Sequence, residues 1–140
     1  MIESTDAQGN VPTLTIGLFT GLADRLKVLV STMALCEATG KKPRFLWART
    51  VHCGAAFSDV FRSPWPVEEA TEADVRELPL FDREDRNGRS DLLLCNRPEV
   101  AFRADGWLID PENFPAHVPL MSRCEELAAE LEPRAEILER

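Results

Sequence analysis

The chain contains no tyrosine and only two histidines. General acid–base chemistry therefore has to be sought among its carboxylates. Its four cysteines, Cys36, Cys53, Cys95 and Cys124, lie far apart, with no Cys-x-x-Cys pair and no His-x-x-x-His. A tetrahedral zinc shell cannot be read from such spacing, and the cysteines are expected to be small core residues. His52 precedes Cys53, yet neighbours on an extended segment point to opposite sides, so adjacency does not make a thiolate–imidazole pair. No apolar run approaches the roughly 20 residues a bilayer demands, and the opening Met1-Ile2-Glu3-Ser4-Thr5-Asp6 lacks the basic-then-apolar order of a signal peptide. A cytoplasmic protein without a membrane span is expected. Basic residues are outnumbered 24 to 16 by acidic ones and scattered, for a net charge of −8, which argues against nucleic acid as a partner. Neither Gly-x-Gly-x-x-Gly nor a P-loop Gly-Lys-Ser/Thr occurs, which disfavours a dinucleotide site and ordinary nucleotide-dependent oxidoreductase chemistry.

What is present suffices for one globular domain: 140 residues, 44% of them hydrophobic. A chain of this length buries roughly 70% of its unfolded surface and needs no staple. Residues 1–12 are polar and aperiodic and read as a leader, with the domain proper over 13–132 and an interdomain linker beginning at 133–140. Thr13 to Phe19 is short, apolar and β-branched, the pattern of a buried strand. From Leu22 the apolar residues fall at Leu26, Leu29, Val30, Met33 and Cys36, one face of a helix, with Gly40 as its stop and Pro43 beyond. Arg44 to Ala48 reads as a second strand, so the opening is a βαβ unit with parallel strands. The stretch from Arg49 to Pro66 reads as a loop with one helical turn, and Thr71 with Asp74 as a helix start. Phe81 to Ser90 reads as a surface loop, Asp91 to Asn96 as a strand, and Asp105-Gly106 as the turn of a small hairpin. An amphipathic helix spans Leu120 to Leu131. The fold class expected is α/β, a Rossmann-like three-layer domain with a mainly parallel sheet.

In such sheets ligands collect at the carboxyl ends of the strands, where loops lead into helix N-termini. The turn from Phe19 to Arg25 is such a place, and its free N–H groups suit an anion. Arg25 sits in the first helical turn, where the dipole favours an acid, and the helical wheel sets it about 60° from Leu22, on the flank of the buried face. Two readings remain open: contact with an anionic or polyhydroxylated ligand, or an ion pair that orients the loop. Asp24 lies nearer the outer face and suits the helix start; Asp24, Asp59 and Glu99 remain possible bases.

Three blocks carry a family resemblance. Thr20-Gly21-Leu22-Ala23-Asp24-Arg25-Leu26-Lys27, Phe45-Leu46-Trp47, and Cys53-Gly54-Ala55-Ala56-Phe57-Ser58-Asp59-Val60-Phe61, with Ala34 to Gly40 between the first two, resemble the opening of bacterial fucosyltransferase-like proteins related to the nodulation fucosyltransferases. The resemblance spans about Leu14 to Phe61, and Glu132 to Leu138 is similar to that group's interdomain stretch. It implies the N-terminal, acceptor-side half of a two-domain GT-B glycosyltransferase, whose other half binds GDP-fucose and works without a metal. Carried over residue by residue, it implies that Gly21 makes the tight turn, that Asp24 and Arg25 form a polar corner at the interdomain cleft, and that Trp47 walls that cleft. These four are the substrate-binding candidates.

The group's His-x-Arg-Arg-x-Asp motif, whose arginines hold the donor pyrophosphate, is absent: His52 is followed by Cys53-Gly54-Ala55 and His117 by Val118-Pro119-Leu120. No catalytic residue, metal or cofactor is therefore assigned to this chain, and GDP-fucose is expected as donor only with the second half supplied. The implied partners are a second glycosyltransferase domain or another copy of the chain, and a glycan acceptor. The alternative is a non-catalytic carbohydrate- or protein-binding α/β module. The first reading expects an exposed apolar face on the C-terminal helix at Leu120, Leu127 and Leu131; the second expects none.

Overall fold

The computed structural model describes residues 11–81, 97–108, 120–131 and 133. Strand β1 (Thr13–Leu18) leads into helix α1 (Leu22–Thr39), which returns to strand β2 (Lys42–Ala48). Then come α2 (Phe57–Val60), β3 (Val67–Ala70), α3 (Glu72–Arg76), β4 (Glu99–Ala104) and α4 (Leu120–Glu130). The four strands form one sheet in the order β3-β2-β1-β4, and every pairing is parallel. Helices flank it, giving the α/β Rossmann-like arrangement expected from sequence. Among the described residues no helix is long and apolar enough to cross a membrane.

The sequence punctuation works as its chemistry requires. Gly40 ends α1 in the left-handed region at φ 71°, where a Cβ would clash with the carbonyl, and the following Lys41 N–H donates to the Cys36 carbonyl at 3.0 Å. Thr71 caps α3, its hydroxyl accepting from the Asp74 N–H at 3.0 Å. Pro43 is tolerated inside β2 because pairing to β3 starts only at Phe45, whose N–H reaches the Pro66 carbonyl. The two-residue alternation turns Pro43 toward that same open flank, so no sheet hydrogen bond is lost.

Alternation also separates the layers. Leu14, Ile16 and Leu18 are fully buried in one cluster with Val28, Leu29 and Leu35 of α1. Gly17 points the other way: a Cβ there would meet Val75 Cγ1 at 2.9 Å, Leu78 Cδ1 at 3.0 Å and Arg103 Cβ at 3.3 Å. This glycine is what lets α3 and its following turn lie against the sheet. Helix α4 packs on α1, where Cys124 and Leu127 are buried, and Arg123 forks onto Glu37 at 2.8 and 2.9 Å.

The structure departs from the sequence expectations at three places. Val67–Ala70 is a strand, although VEEA has no apolar period. It is the sheet's edge, where Glu68 and Glu69 are exposed and face Arg44 and Arg49. The hairpin across Asp105-Gly106 does not form among the described residues. The strand before it pairs with β1 instead, and Leu108 folds under α1, its N–H donating to Ser31 Oγ at 3.1 Å. The apolar face expected to be exposed on the C-terminal helix is largely covered: Leu127 is 3% and Leu131 8% exposed, and Leu120 is partly buried. The expected loop at Phe81–Ser90 lies beyond residue 81 outside the described residues, as does the expected strand at Asp91–Asn96.

Candidate functional site

The chain runs from β1 outward to β3 and returns on the other flank of β1 as β4. This reversal places the loops after β1, β2 and β4 together at the carboxyl edge, the switch point at which doubly wound sheets hold ligands. Here α1 begins, and Arg25, one turn in, is drawn under the β1–α1 loop. Its residue surface is fully buried. Nε donates to the Thr20 carbonyl at 2.6 Å and Nη2 to Thr50 Oγ1 at 3.4 Å. The Thr50 hydroxyl in turn donates to the Phe19 carbonyl at 3.2 Å and accepts from the His52 N–H at 3.2 Å. The guanidinium carbon lies 4.7 Å from the centroid of the Trp47 ring.

One hydroxyl and one guanidinium thus tie the ends of two strands together through backbone carbonyls. Every acceptor in this knot is uncharged, so the ion pair read as one alternative for Arg25 is not made among the described residues. Arg25 Nη1 and Thr20 Oγ1 are buried without a hydrogen-bond partner. Burial lowers the Arg25 pKa, and the proximity of Cys53 acts in the opposite sense. A guanidinium stays protonated regardless, so the corner holds a buried positive charge with no counterion among the described residues.

The four candidates from sequence divide. Arg25 and Trp47 meet, as described. Trp47 is fully buried, donates its indole N–H to the Ala55 carbonyl at 2.7 Å and meets the Phe57 ring edge-on at 5.6 Å. It supports the corner from beneath and presents no face to solvent. Gly21 is the N-cap residue of α1, at φ −67° and ψ 164°, and a Cβ there would meet nothing within 4 Å. Neither backbone nor packing demands glycine there; the open space lies outside the first free N–H groups of the helix. Asp24 stands half-exposed on the outer side and pairs with Lys27 at 3.6 Å.

The other acids lie apart from this corner or serve the fold. Asp59 accepts from the Ala56 N–H at 2.9 Å and closes the start of α2. Glu99 is at the amino end of β4 and accepts from Thr15 Oγ1 at 3.4 Å. The Cys53 thiol donates to the Ala55 carbonyl at 3.8 Å, while His52 is exposed. No group of three or more His, Cys, Asp or Glu among the described residues is placed to hold a metal ion.

Thr50 was invisible to sequence reasoning, since a lone threonine after a strand carries no signal. Arg103 was equally silent: it lies over the Phe19 ring at 5.2 Å and donates to the Leu78 carbonyl at 3.0 Å, bracing the loop from the β4 side.

No protein-family model, curated protein or solved structure matches the chain.

Proposed function

We propose that the chain is the acceptor-side domain of a fucosyltransferase-like glycosyltransferase, with its ligand cleft at the β1–α1 corner. The observation that carries the reading is Arg25: a buried guanidinium without a counterion among the described residues, held beneath a helix N-terminus at the sheet's switch point. A charge left this way costs stability and is compensated by a ligand that brings negative charge or oriented hydroxyl oxygens close. Gly21 leaves the helix N-terminus open to such a group. The sequence blocks that resemble the fucosyltransferase-like group converge on this corner, since Thr20, Arg25, Trp47, Cys53 and Phe57 all meet there. In this reading the donor, GDP-fucose, is held by residues beyond these 140, because the cationic donor motif is absent.

A second reading is favoured by one specific observation. Leu127 and Leu131 at the C-terminal helix are buried rather than exposed, as expected of a non-catalytic carbohydrate- or protein-binding module.

The test is calorimetry and ¹H–¹⁵N spectra of the chain with GDP-fucose and with a panel of neutral and acidic oligosaccharides. The expected result is no binding of GDP-fucose and oligosaccharide-induced shifts at residues 19–25 and 50–53. Tight binding or turnover of GDP-fucose by this chain alone overturns the proposal. Oligosaccharide binding that persists unchanged when a donor-binding domain is supplied, with no transfer of fucose, selects the second reading.

A further inference from the structure

At the opposite end of the strands lies a cavity of about 480 Å³, bordered by Lys42, Pro43, Arg44, Trp65, Glu68 and Glu99. Seven residues of β2 separate it from the Arg25 corner, roughly 20 Å along an extended chain. The cavity has a structural origin. Strand β3 meets β2 only from Phe45 onward, so the first residues of β2 have no neighbour on that flank. Pro43 faces the gap and has no N–H to offer. A further strand therefore cannot zip into the opening by backbone pairing, and the space suits a compact molecule.

We propose that this cavity is a binding site for a neutral saccharide unit. The lining carries two cations and two anions, so no net charge selects an ionic ligand. Arg44 donates through its Nε to Glu68, and the pair stands on the rim of the cavity with Glu99 across from it. Glu99 is further oriented by the Thr15 hydroxyl. The rim thus offers charged donors and acceptors side by side, the arrangement that matches vicinal hydroxyls on a sugar ring. Beside them Trp65, half-buried and packed against the core, supplies a rigid apolar surface for the C–H face of a pyranose. Lys42 is exposed and has no ion-pair partner among the described residues, which leaves its ammonium free to donate. The site is independent of the Arg25 corner and does not need the proposed transferase function.

The experiment is titration of the ¹⁵N-labelled chain with glucose, galactose, fucose, N-acetylglucosamine and their disaccharides, with glucose 6-phosphate and free glycine as charged controls. We expect a neutral sugar to bind with Kd on the order of 1 mM, moving the Trp65 indole and the amides of residues 42–44, 68 and 99. Any shifts at residues 19–25 belong to the other corner and follow a separate titration curve. Trp65→Ala weakens binding about tenfold; Glu99→Gln, at an exposed position, weakens it with the spectrum otherwise unchanged and keeps the test valid if Trp65→Ala unfolds. No shift at these amides with any neutral sugar overturns the proposal. So does preferential binding of glucose 6-phosphate or glycine.

Discussion

The guanidinium of Arg25 lies on the face of the Trp47 indole, 4.7 Å from its centroid, with both side chains sealed from solvent. The contact fixes the first turn of α1 to the end of β2, and a cation–π attraction of this kind grows as water is excluded. It offsets part of the cost of burying the charge.

Arg25→Met keeps the packing on Trp47 and removes the charge. Replacing a buried unpaired ion by an apolar side chain of similar length is expected to leave folding stability within about 1 kcal/mol of the parent. Arg25→Ala, which leaves a cavity, is expected to cost about 3 kcal/mol. Urea denaturation compares the two. An anion that binds at Arg25 is expected to raise the melting temperature of the parent more than that of the methionine variant, above the general effect of salt; equal shifts mean that it does not act through Arg25.

Gly17 and Gly21 make opposite predictions. Gly17→Ala drives a Cβ to 2.9 Å from Val75 Cγ1, a stiff and fully buried side chain, and is expected to destabilise by about 1–3 kcal/mol. Val75→Ala in the same chain relieves the clash, giving a favourable coupling in a double-mutant cycle. Gly21→Ser adds a cap in open space and is expected to gain a few tenths of a kcal/mol. If the helix N-terminus admits a ligand, the same serine weakens binding.

The clamp between Arg123 and Glu37 ties α4 to α1. Its hydrogen bond holds the Glu37 carboxyl below the ordinary carboxylate value, and Arg123 is raised in return. A depressed folded-state pKa contributes stability that is present above the unfolded value and is lost as pH falls through the folded one. Acid unfolding followed by circular dichroism is therefore expected to shift in Glu37→Gln: the variant is less stable at neutral pH and loses less on acidification. Both groups are largely exposed, so salt reduces the difference.

Burial pushes the Cys36 thiol up to about 12 and Cys124 up to about 11. Stability from these neutral thiols is complete below the unfolded thiol value and is lost as pH rises toward the folded ones. At pH 8, iodoacetamide is expected to label the half-buried Cys53 well before Cys36 or Cys124, as read by peptide mass spectrometry. Equal rates would mean that the α1–α4 interface opens readily.

The parts of this fold with a strong local rule were legible in the chain. The α1 period, its Gly40 stop, the first two strands and the Thr71 cap each depend on residues close in sequence. Strand β3 was not legible because VEEA earns its extended shape from pairing with Phe45 to Ala48, a tertiary effect that leaves no apolar rhythm at an edge. The hairpin reading failed for a related reason: Val100 and Phe102 alternate just as well beside β1 as beside a following strand. At the site, Arg25 stood out because its charge opposes the helix dipole, but its partners did not. They are the Thr20 carbonyl and the Thr50 hydroxyl, the latter itself anchored on the Phe19 carbonyl, brought together by the fold from residues 19 to 50.

The outer border of the sheet is written in carboxylates. Glu68 and Glu69 occupy the middle of β3, each answered by an arginine of the same molecule, so two copies approaching rim to rim would set like charges against one another before any backbone could join. Losing the carboxylate charges leaves Arg44 and Arg49 as cations on the same rim, so the border stays charged and closed to a second molecule.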